Sequence, residues 1–168
     1  VPTGVVDFKW FPDGERIAYI TWAWPKLKGE LQADKLKETK ARKDSAFATE
    51  DAVYRHWDHN LPMGRVPHLC IMDLKSGRVV DLLEGTDYEL PRREPSANEF
   101  DISADGKSIS FVFDPEKAQN AAPRMALAEI QLKGNKVIAI RDLVKDPAWD
   151  VSGPAYSPTG DQLAFLAS

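Results

Sequence analysis

This sequence has a single cysteine, no long apolar run and no excess of basic residues. The single cysteine, Cys70, has no partner in the chain, so it forms no internal disulfide and leaves the redox compartment open. No apolar run approaches the roughly 20 residues that a bilayer-spanning helix needs. The formal net charge of -4 provides no basic surface for nucleic acid. The composition therefore argues against a disulfide-stapled scaffold, a membrane-spanning helix and an electrostatically driven nucleic-acid binder.

The sequence also lacks the common catalytic motifs. A hydrolase nucleophile sits in a G-x-S-x-G elbow that is followed along the chain by an acid and then a histidine. No such pentapeptide occurs, and the three histidines, His56, His59 and His68, all lie in the first half. A Gly-rich phosphate loop, an H-E-x-x-H motif and paired C-x-x-C motifs are absent too. We therefore expect no catalytic centre in these residues and no cofactor.

The 168 residues that are present have an ordinary globular composition, with 43% apolar and 29% charged residues. This length suits one domain with a substantial core. The sequence begins with "VPTG" rather than with methionine. We therefore expect the chain to be an inner part of a longer protein.

Three segments repeat without gaps: "FPDGERIAYI" from Phe11, "SADGKSISFV" from Ser103 and "SPTGDQLAFL" from Ser157. Each has a turn with glycine at its fourth position, followed by an apolar strand. Asp-Gly is a strong hairpin signal, because such a turn requires a residue at positive φ. The repeat therefore predicts positive φ at Gly106 and Gly160.

A second hairpin pattern lies between these segments, in "HLCIMDLKSGRVVDLLEG" from His68 and "MALAEIQLKGNKVIAI" from Met125. Gly106 and Gly160 are 54 residues apart, and Gly77 and Gly134 are 57 apart. The repeating unit is thus a pair of hairpins, or four antiparallel strands. This period is typical of β-propeller blades, whereas a β-sandwich has no reason to repeat the same turn at the same offset.

The pattern predicts an all-β propeller fragment of about two and a half blades that covers residues 1–168. The predicted strands are Val5–Phe11, Arg16–Trp24, Pro67–Leu74, Arg78–Leu83, Asn98–Ser103, Ser108–Asp114, Arg124–Leu132, Lys136–Leu143, Val151–Ser157 and Gln162–Ala167. A partly helical insert, at about 25–66, separates the second and third strands of the first blade. Because two and a half blades do not close a ring, we expect open strand edges and self-association of this fragment.

The order of motifs resembles one family. The segments "PDGERIAYITWAWPKLKG", a lysine-rich insert, "VYRHWDHNLPMGRVPHLCIMDLKSG" and "FDISADGKSISFVFDPE" follow each other here. They resemble the N-terminal propeller of prolyl oligopeptidase family serine peptidases, in the dipeptidyl-peptidase and acylaminoacyl-peptidase branch. The resemblance implies that an α/β-hydrolase catalytic domain, absent from these residues, follows the propeller, which restricts access to short peptides. Relatives tend to carry Trp where Asn60 stands, so an aromatic role is not carried over to that position.

The segment "YRHWDHN", Tyr54 to Asn60, has two interpretations. In the first it anchors the insert, with the Trp57 ring buried and with Arg55 and Asp58 bonded to loop backbone. In the second it lines the cavity between propeller and catalytic domain, where the insert should meet 84–98 and 145–153. The candidates for contact with substrate or partner domain are Arg55, His56, Trp57, Asp58, His59, Arg92, Arg93 and Trp149.

Two smaller alternatives concern neighbouring residues. His56, Asp58, His59 and His68 have the chemistry of zinc ligands but no typical spacing, and the main prediction is no metal. The segment "KLKETKARKD", Lys35 to Asp44, predicts a solvated helix, with a peptide-contacting lid as the alternative.

Two functions are expected, one from this family resemblance and one from the repeated turn-strand segments, which also resemble TolB-like bacterial propellers. The chain is expected to be the substrate-gating, non-catalytic propeller of a serine peptidase that removes dipeptides or single blocked residues from peptide N-termini. Its expected partners are then a peptide substrate and a C-terminal α/β-hydrolase domain, without nucleic acid or membrane. The alternative is a TolB-like propeller that binds proteins. A bacterial periplasm fits the family slightly better than the cytoplasm.

Overall fold

The computed structural model describes residues 1–44, 46 and 48–168, and in this part the chain forms twelve strands and one α-helix. In chain order the elements are β1 (Asp7–Trp10), β2 (Arg16–Ala23), α1 (Leu31–Ala41), β3 (Arg55–His56), β4 (His59–Asn60), β5 (Val66–Asp73), β6 (Val79–Asp81), β7 (Phe100–Ile102), β8 (Ser108–Phe113), β9 (Ala126–Lys133), β10 (Lys136–Val144), β11 (Val151–Tyr156) and β12 (Leu163–Ala167). A 3₁₀ turn, Ala97–Glu99, precedes β7.

The strands form antiparallel sheets whose neighbours are mostly consecutive in the chain. The first sheet has the order β1-β2-β5-β6, the second has the order β10-β9-β8-β7, and β11 pairs with β12 in a third hairpin. The all-β prediction is confirmed, and each of the ten predicted strands is present with ends that differ by a few residues. The hairpin β3–β4 inside the insert was not predicted, because its two-residue strands are too short for a period-2 pattern.

The insert also contains α1, the helix predicted from the lysine-rich segment. It begins at Leu31, four residues before the predicted start, and none of its residues is buried. Its charged side chains pair locally, as Lys35 does with Glu38 at 2.9 Å. The prediction of a solvated helix is confirmed. In the part of the chain that the structure describes, no helix is long and apolar enough to cross a membrane.

The central strands β8 and β9 of the second sheet are buried on both faces, which fits their largely apolar sequences. Ile109, Phe111 and Ile130 pack against the first sheet, where they meet Ile20 and Ile71. The opposite face of β8 and β9 packs against β11, in a cluster of Val112, Leu127 and Val151. Fully burying one such aliphatic or aromatic side chain contributes roughly 1.5–3 kcal/mol, so these two interfaces hold the three sheets together.

Five turns at one end of the sheets join β1 to β2, β5 to β6, β7 to β8, β9 to β10 and β11 to β12; we call this the short-turn end. The three repeated turns have the same backbone bonds, since the amides of Gly14, Gly106 and Gly160 donate to the carbonyls of Phe11, Ser103 and Ser157 at 3.0, 2.8 and 2.9 Å. Gly106 and Gly160 have φ of +66° and +77°, which confirms the predicted positive φ.

Candidate functional site

The connections at the opposite end of the sheets are much longer. They span 24–65, 82–99, 114–125 and 145–150, and we call this region the long-connection end. Antiparallel pairing brings all four connections to the same end, and all eight contact candidates predicted from the sequence lie in them. The contacts among these connections therefore define the candidate site.

Arg92 lies at the centre of the contacts between the insert and 82–99. Its Nε and Nη2 donate to the two carboxylate oxygens of Glu89 at 2.9 and 3.2 Å, and its Nη1 donates to Asp51 Oδ2 at 2.7 Å. The Arg92 and Glu89 side chains are only 11% and 8% exposed. Burial raises the pKa of the Glu89 carboxyl, and the bidentate bond from Arg92 partly offsets this effect. The predicted contact between the insert and 84–98 is confirmed by this ion pair with Asp51.

A third connection, 114–125, is tied to the same region through backbone groups. The Asp114 side chain accepts bonds from the amides of Glu116 and Ala118, both at 2.8 Å, and is buried. The Ala118 carbonyl accepts bonds from Ala52 and Val53 of the insert, at 2.8 and 3.3 Å. The buried Asp114 carboxylate and the Ala118 carbonyl are therefore both hydrogen bonded, which ties 114–125 to the insert.

A small apolar cluster anchors the insert. Val53 and Leu61 are 4% and 7% exposed and pack with Ala118, while Trp22 covers the cluster from β2. These residues, together with Asp51, Glu89 and Asp114, were missed by the sequence analysis. They stand in no recognisable motif, because their partners are distant along the chain and are selected by the fold.

The prediction that the Trp57 ring is buried is wrong. Trp57 occupies the tip of the β3–β4 hairpin, where its side chain is 82% exposed and its backbone has a φ of +52°. A residue at the tip of a two-residue turn projects beyond both strands, and the Trp57 ring contacts only the edge of the His56 ring among the described aromatic pairs, at 6.1 Å. The predicted backbone bond of Arg55 is present, since its Nε donates to the Trp57 carbonyl at 2.9 Å.

Asp58 was predicted to bond to loop backbone, and it does so through its own amide. Its carboxylate lies 3.3 Å from His59 Nδ1, and this bond holds the pKa of Asp58 below its ordinary value. The His56 ring lies 6.0 Å from the His59 ring, edge to face. His56 Nε2 lies 3.3 Å from Glu94 Oε1, within ion-pair distance but without hydrogen-bond geometry. The hairpin therefore contacts the 82–99 connection through His56.

His68 lies away from the other two histidines. Its Nδ1 is 2.7 Å from Asp81 Oδ2 on the adjacent strand β6, and its side chain is 2% exposed. The zinc alternative required His68 beside His56, Asp58 and His59, and the structure does not bring them together. Across residues 1–44, 46 and 48–168, no group of three His, Cys, Asp or Glu side chains is arranged to hold a metal ion.

The two remaining candidates lie farther from the hairpin. Arg93 donates through Nη2 to the Ala121 carbonyl, and with Arg92 it lines a cavity of about 260 Å³ that Asp114 and Asp150 also line. Trp149 is 48% exposed and does not line this cavity. The structure thus brings together the insert, 82–99 and 114–125 at this cavity. The 145–150 connection reaches the same cavity through Asp150.

Backbone strain is concentrated in the same place. Trp57, Glu94, Lys117 and Ala118 are the non-glycine residues at positive φ in the described part of the chain, with φ from +47° to +60°. All four lie at the long-connection end. Non-glycine residues adopt this conformation at a cost of roughly 1–2 kcal/mol, and such strain clusters at functional sites.

Comparison with known proteins identifies two similar peptidases. No protein-family model matches the chain. Dipeptidyl-peptidase 5 from Porphyromonas endodontalis is 30% identical over 99% of the chain, and its namesake from Porphyromonas gingivalis is 28% identical over 70%. The chain is a distant relative of these peptidases.

The chain spans 24% and 17% of the lengths of these two relatives. The similarity agrees with the peptidase part of the resemblance described from the motifs. The matched region is about a quarter of the longer proteins or less. The similarity alone therefore does not establish the activity or the substrate of the whole protein.

Proposed function

We propose that this chain is the substrate-gating, non-catalytic propeller part of a serine peptidase of the prolyl oligopeptidase family. The parent enzyme removes dipeptides or single blocked residues from peptide N-termini, and its α/β-hydrolase domain carries the chemistry. The observation that carries the proposal is the long-connection end. There, buried ion pairs hold the loops rigid while the hairpin presents an exposed tryptophan at a strained backbone position.

The stacking of the sheets supports the propeller part of the proposal. The second sheet is covered by the first sheet on one face and by the β11–β12 hairpin on the other, and the repeated turns stack at one end. An ideal Cβ on Gly160 would lie 3.7 Å from Ala104 of the preceding turn, and one on Gly106 would lie 3.5 Å from Phe11 Cδ1. Successive sheets stacked face to face, with equivalent turns in contact, are how propeller blades are arranged.

The long-connection end supports the gating part. The Trp57 ring makes an edge contact with His56 at 6.1 Å but is 82% exposed, and the residue holds a backbone conformation that costs free energy. Exposed aromatic side chains on a rigid loop are typical of contact surfaces. We assign Trp57 and its hairpin neighbours Arg55, His56, Asp58 and His59 to the surface that faces the catalytic domain or the entering peptide, with Arg92 and Arg93 behind it and Trp149 at the rim.

The test uses the complete gene product and the 168-residue chain in parallel. The chain alone is expected to leave aminoacyl and dipeptidyl reporter substrates intact and to resist a fluorophosphonate serine probe. The complete product is expected to react with the probe and to release dipeptides or blocked residues. In it, Trp57→Ala is expected to lower kcat/KM several-fold for peptides, whereas Ile138→Ala, at an exposed site on β10, leaves kcat/KM unchanged.

A complete gene product without hydrolase activity or probe labelling would refute the peptidase proposal. The alternative, a TolB-like propeller that binds proteins, then takes its place. Activity that Trp57→Ala leaves unchanged would refute the gating role of the hairpin while leaving the peptidase assignment standing.

Self-association of the isolated chain is part of the same proposal. The first sheet turns Phe8 and Trp10, 48% and 58% exposed, away from the second sheet. On the other flank, Phe165 and Leu166 of β12 are 40% and 69% exposed. We expect light scattering at micromolar concentration to report species larger than 18.8 kDa. A monodisperse monomer would contradict this expectation.

A further inference from the structure

A second, larger cavity lies inside the insert, and the proposed function does not use it. Its volume is about 700 Å³, and it opens between α1, the β3–β4 hairpin and the turn that leads into β5. The lining side chains that matter here are Trp24, Thr39, Tyr54, Asn60, Leu61 and Arg65. The wall thus combines aromatic and aliphatic surface with hydroxyl and amide groups and the guanidinium of Arg65, as small-molecule and peptide pockets do.

Arg65 is the unusual member of this wall. Its guanidinium carbon lies 5.1 Å from the centroid of the Trp24 ring, and the side chain is half-buried. Burial lowers the pKa of Arg65 below its ordinary value, and no charged neighbour opposes this effect. Among the carboxylates that the structure describes, none lies within 4.0 Å of its guanidinium. A cation removed from water without an anionic partner is destabilising unless a ligand supplies the anion.

The other charges that line the cavity are paired. Lys35 binds Glu38 at 2.9 Å, Arg42 pairs with Asp44, and Asp51 binds Arg92 at 2.7 Å. Among the described cations that line this cavity, Arg65 is therefore the one without a carboxylate partner.

The surroundings hold Arg65 and Trp24 in place. The Gln32 side chain accepts from the Trp24 amide at 3.0 Å and donates to the Trp24 carbonyl at 2.9 Å, which ties α1 to the end of β2. The Arg65 amide donates to the Pro62 carbonyl at 3.3 Å in a tight turn. Gly64 in this turn lies against the Trp24 ring, since an ideal Cβ there would be 3.6 Å from Trp24 Nε1. A site held in this way loses little conformational entropy when it binds a ligand.

We propose that this cavity binds the carboxylate of a short peptide. Arg65 binds the carboxylate, while Trp24 and Leu61 contact the apolar side chain beside it. One guanidinium has a planar pair of donors that matches one carboxylate, and a single positive charge suits a monoanion better than a phosphate dianion. The apolar part of the wall favours a peptide over a small inorganic anion. The inference holds whether or not the parent protein is a peptidase.

The test is calorimetric titration of the 168-residue chain at constant ionic strength with three acetylated peptides. Acetyl-Leu-Leu carries a terminal carboxylate, acetyl-Leu-Asp-amide carries a side-chain carboxylate, and acetyl-Leu-Leu-amide carries none. At least one of the two acids is expected to bind saturably, about tenfold more tightly than the amide. The comparison between the two acids identifies which carboxylate is bound, and inorganic phosphate is titrated as the competing anion.

Variants separate Arg65 from general charge effects. Arg65→Met is expected to weaken binding of the preferred acid about tenfold, and Arg65→Lys several-fold, because lysine keeps the charge but loses the planar pair of donors. Arg78→Met, at an exposed position in the β5–β6 turn, is the matched control and should bind as the unaltered chain does. Circular dichroism checks that each variant is folded. The Arg65→Met variant, although it binds more weakly, is expected to keep its thermal unfolding midpoint, because the substitution removes a partly buried, unpaired charge.

Three results would overturn the proposal. The first is no saturable binding of either acid up to about 20 mM, which lies well above the millimolar affinity of a weak specific complex. The second is equal binding of the amide or tighter binding of phosphate. The third is an affinity in folded Arg65→Met that stays within twofold of the unaltered chain.

Discussion

The two ends of the sheets achieve unusual backbone conformations in different ways. At the short-turn end, positive φ falls on Gly14, Gly106 and Gly160, where it carries little steric cost. At the long-connection end it also falls on Trp57 and Ala118, whose Cβ atoms make the same conformation costly. The difference indicates that the short turns are optimised for folding alone, whereas the long connections keep strain that their surrounding contacts must offset.

The ends also differ in the range of their polar contacts. In the short turns, bonds are largely local, as when Asp13 accepts from the amides of Glu15 and Arg16 at 2.9 and 3.2 Å. At the long-connection end, Arg92 bonds to Asp51, 41 residues away, with little exposure to solvent. A local bond survives as long as its turn does, whereas a long-range buried pair depends on the whole arrangement of loops.

The largest expected effect is at Arg92. Arg92→Met removes the partner of the buried Glu89 carboxylate and should lower the free energy of unfolding by about 3–5 kcal/mol, measured by urea denaturation. The double variant Arg92→Met with Glu89→Met should recover most of this loss, because no buried charge is then left unpaired. If Arg92→Met costs under about 1 kcal/mol, the long-connection end is not held by this pair.

A smaller effect is expected at the short-turn end, where Gly106→Ala should cost roughly 1–2 kcal/mol because alanine resists its φ of +66°. The new Cβ would lie 3.1 Å from Arg16 Nη2, whose guanidinium bonds to the Gly134 carbonyl at 3.0 Å. Gly134→Ala is the control, with φ of +61° and nothing within 4 Å of the new Cβ. Chemical denaturation should show a larger loss in the free energy of unfolding for Gly106→Ala than for Gly134→Ala. Equal losses would mean that the contact between successive turns contributes nothing to stability.

The smallest effect is expected at Trp57. Trp57→Gly relieves a φ of +52° and removes a ring that is 82% exposed, while glycine adds entropy to the unfolded chain. These contributions nearly cancel, so thermal unfolding should report a change within about 0.5 kcal/mol. Trp22→Ala, which uncovers the Val53 and Leu61 cluster, should instead cost roughly 2 kcal/mol. A large loss at Trp57 would show that the ring packs within the chain and would remove its role as a contact group.

The sequence by itself determined the strands and their turns. Alternation of apolar residues and the recurring turn glycines are local signals, and they predicted ten strands and two positive-φ glycines. The charge alternation of the lysine-rich segment, another local signal, predicted the solvated helix. The resemblance in motif order also anticipated the similarity to dipeptidyl-peptidases.

Only the tertiary structure decided which side chains anchor the insert and which stay exposed. In one interpretation Trp57 anchored the insert with its ring buried, but its place at a hairpin tip leaves the ring exposed, with an edge contact to His56. Val53 and Ala118, 65 residues apart, carry the packing instead. Nothing in the sequence distinguished Arg65, and only the positions of α1 and the hairpin show that it has no carboxylate partner among the described residues. Burial and pairing are properties of contacts between distant residues, and no local pattern of residues encodes them.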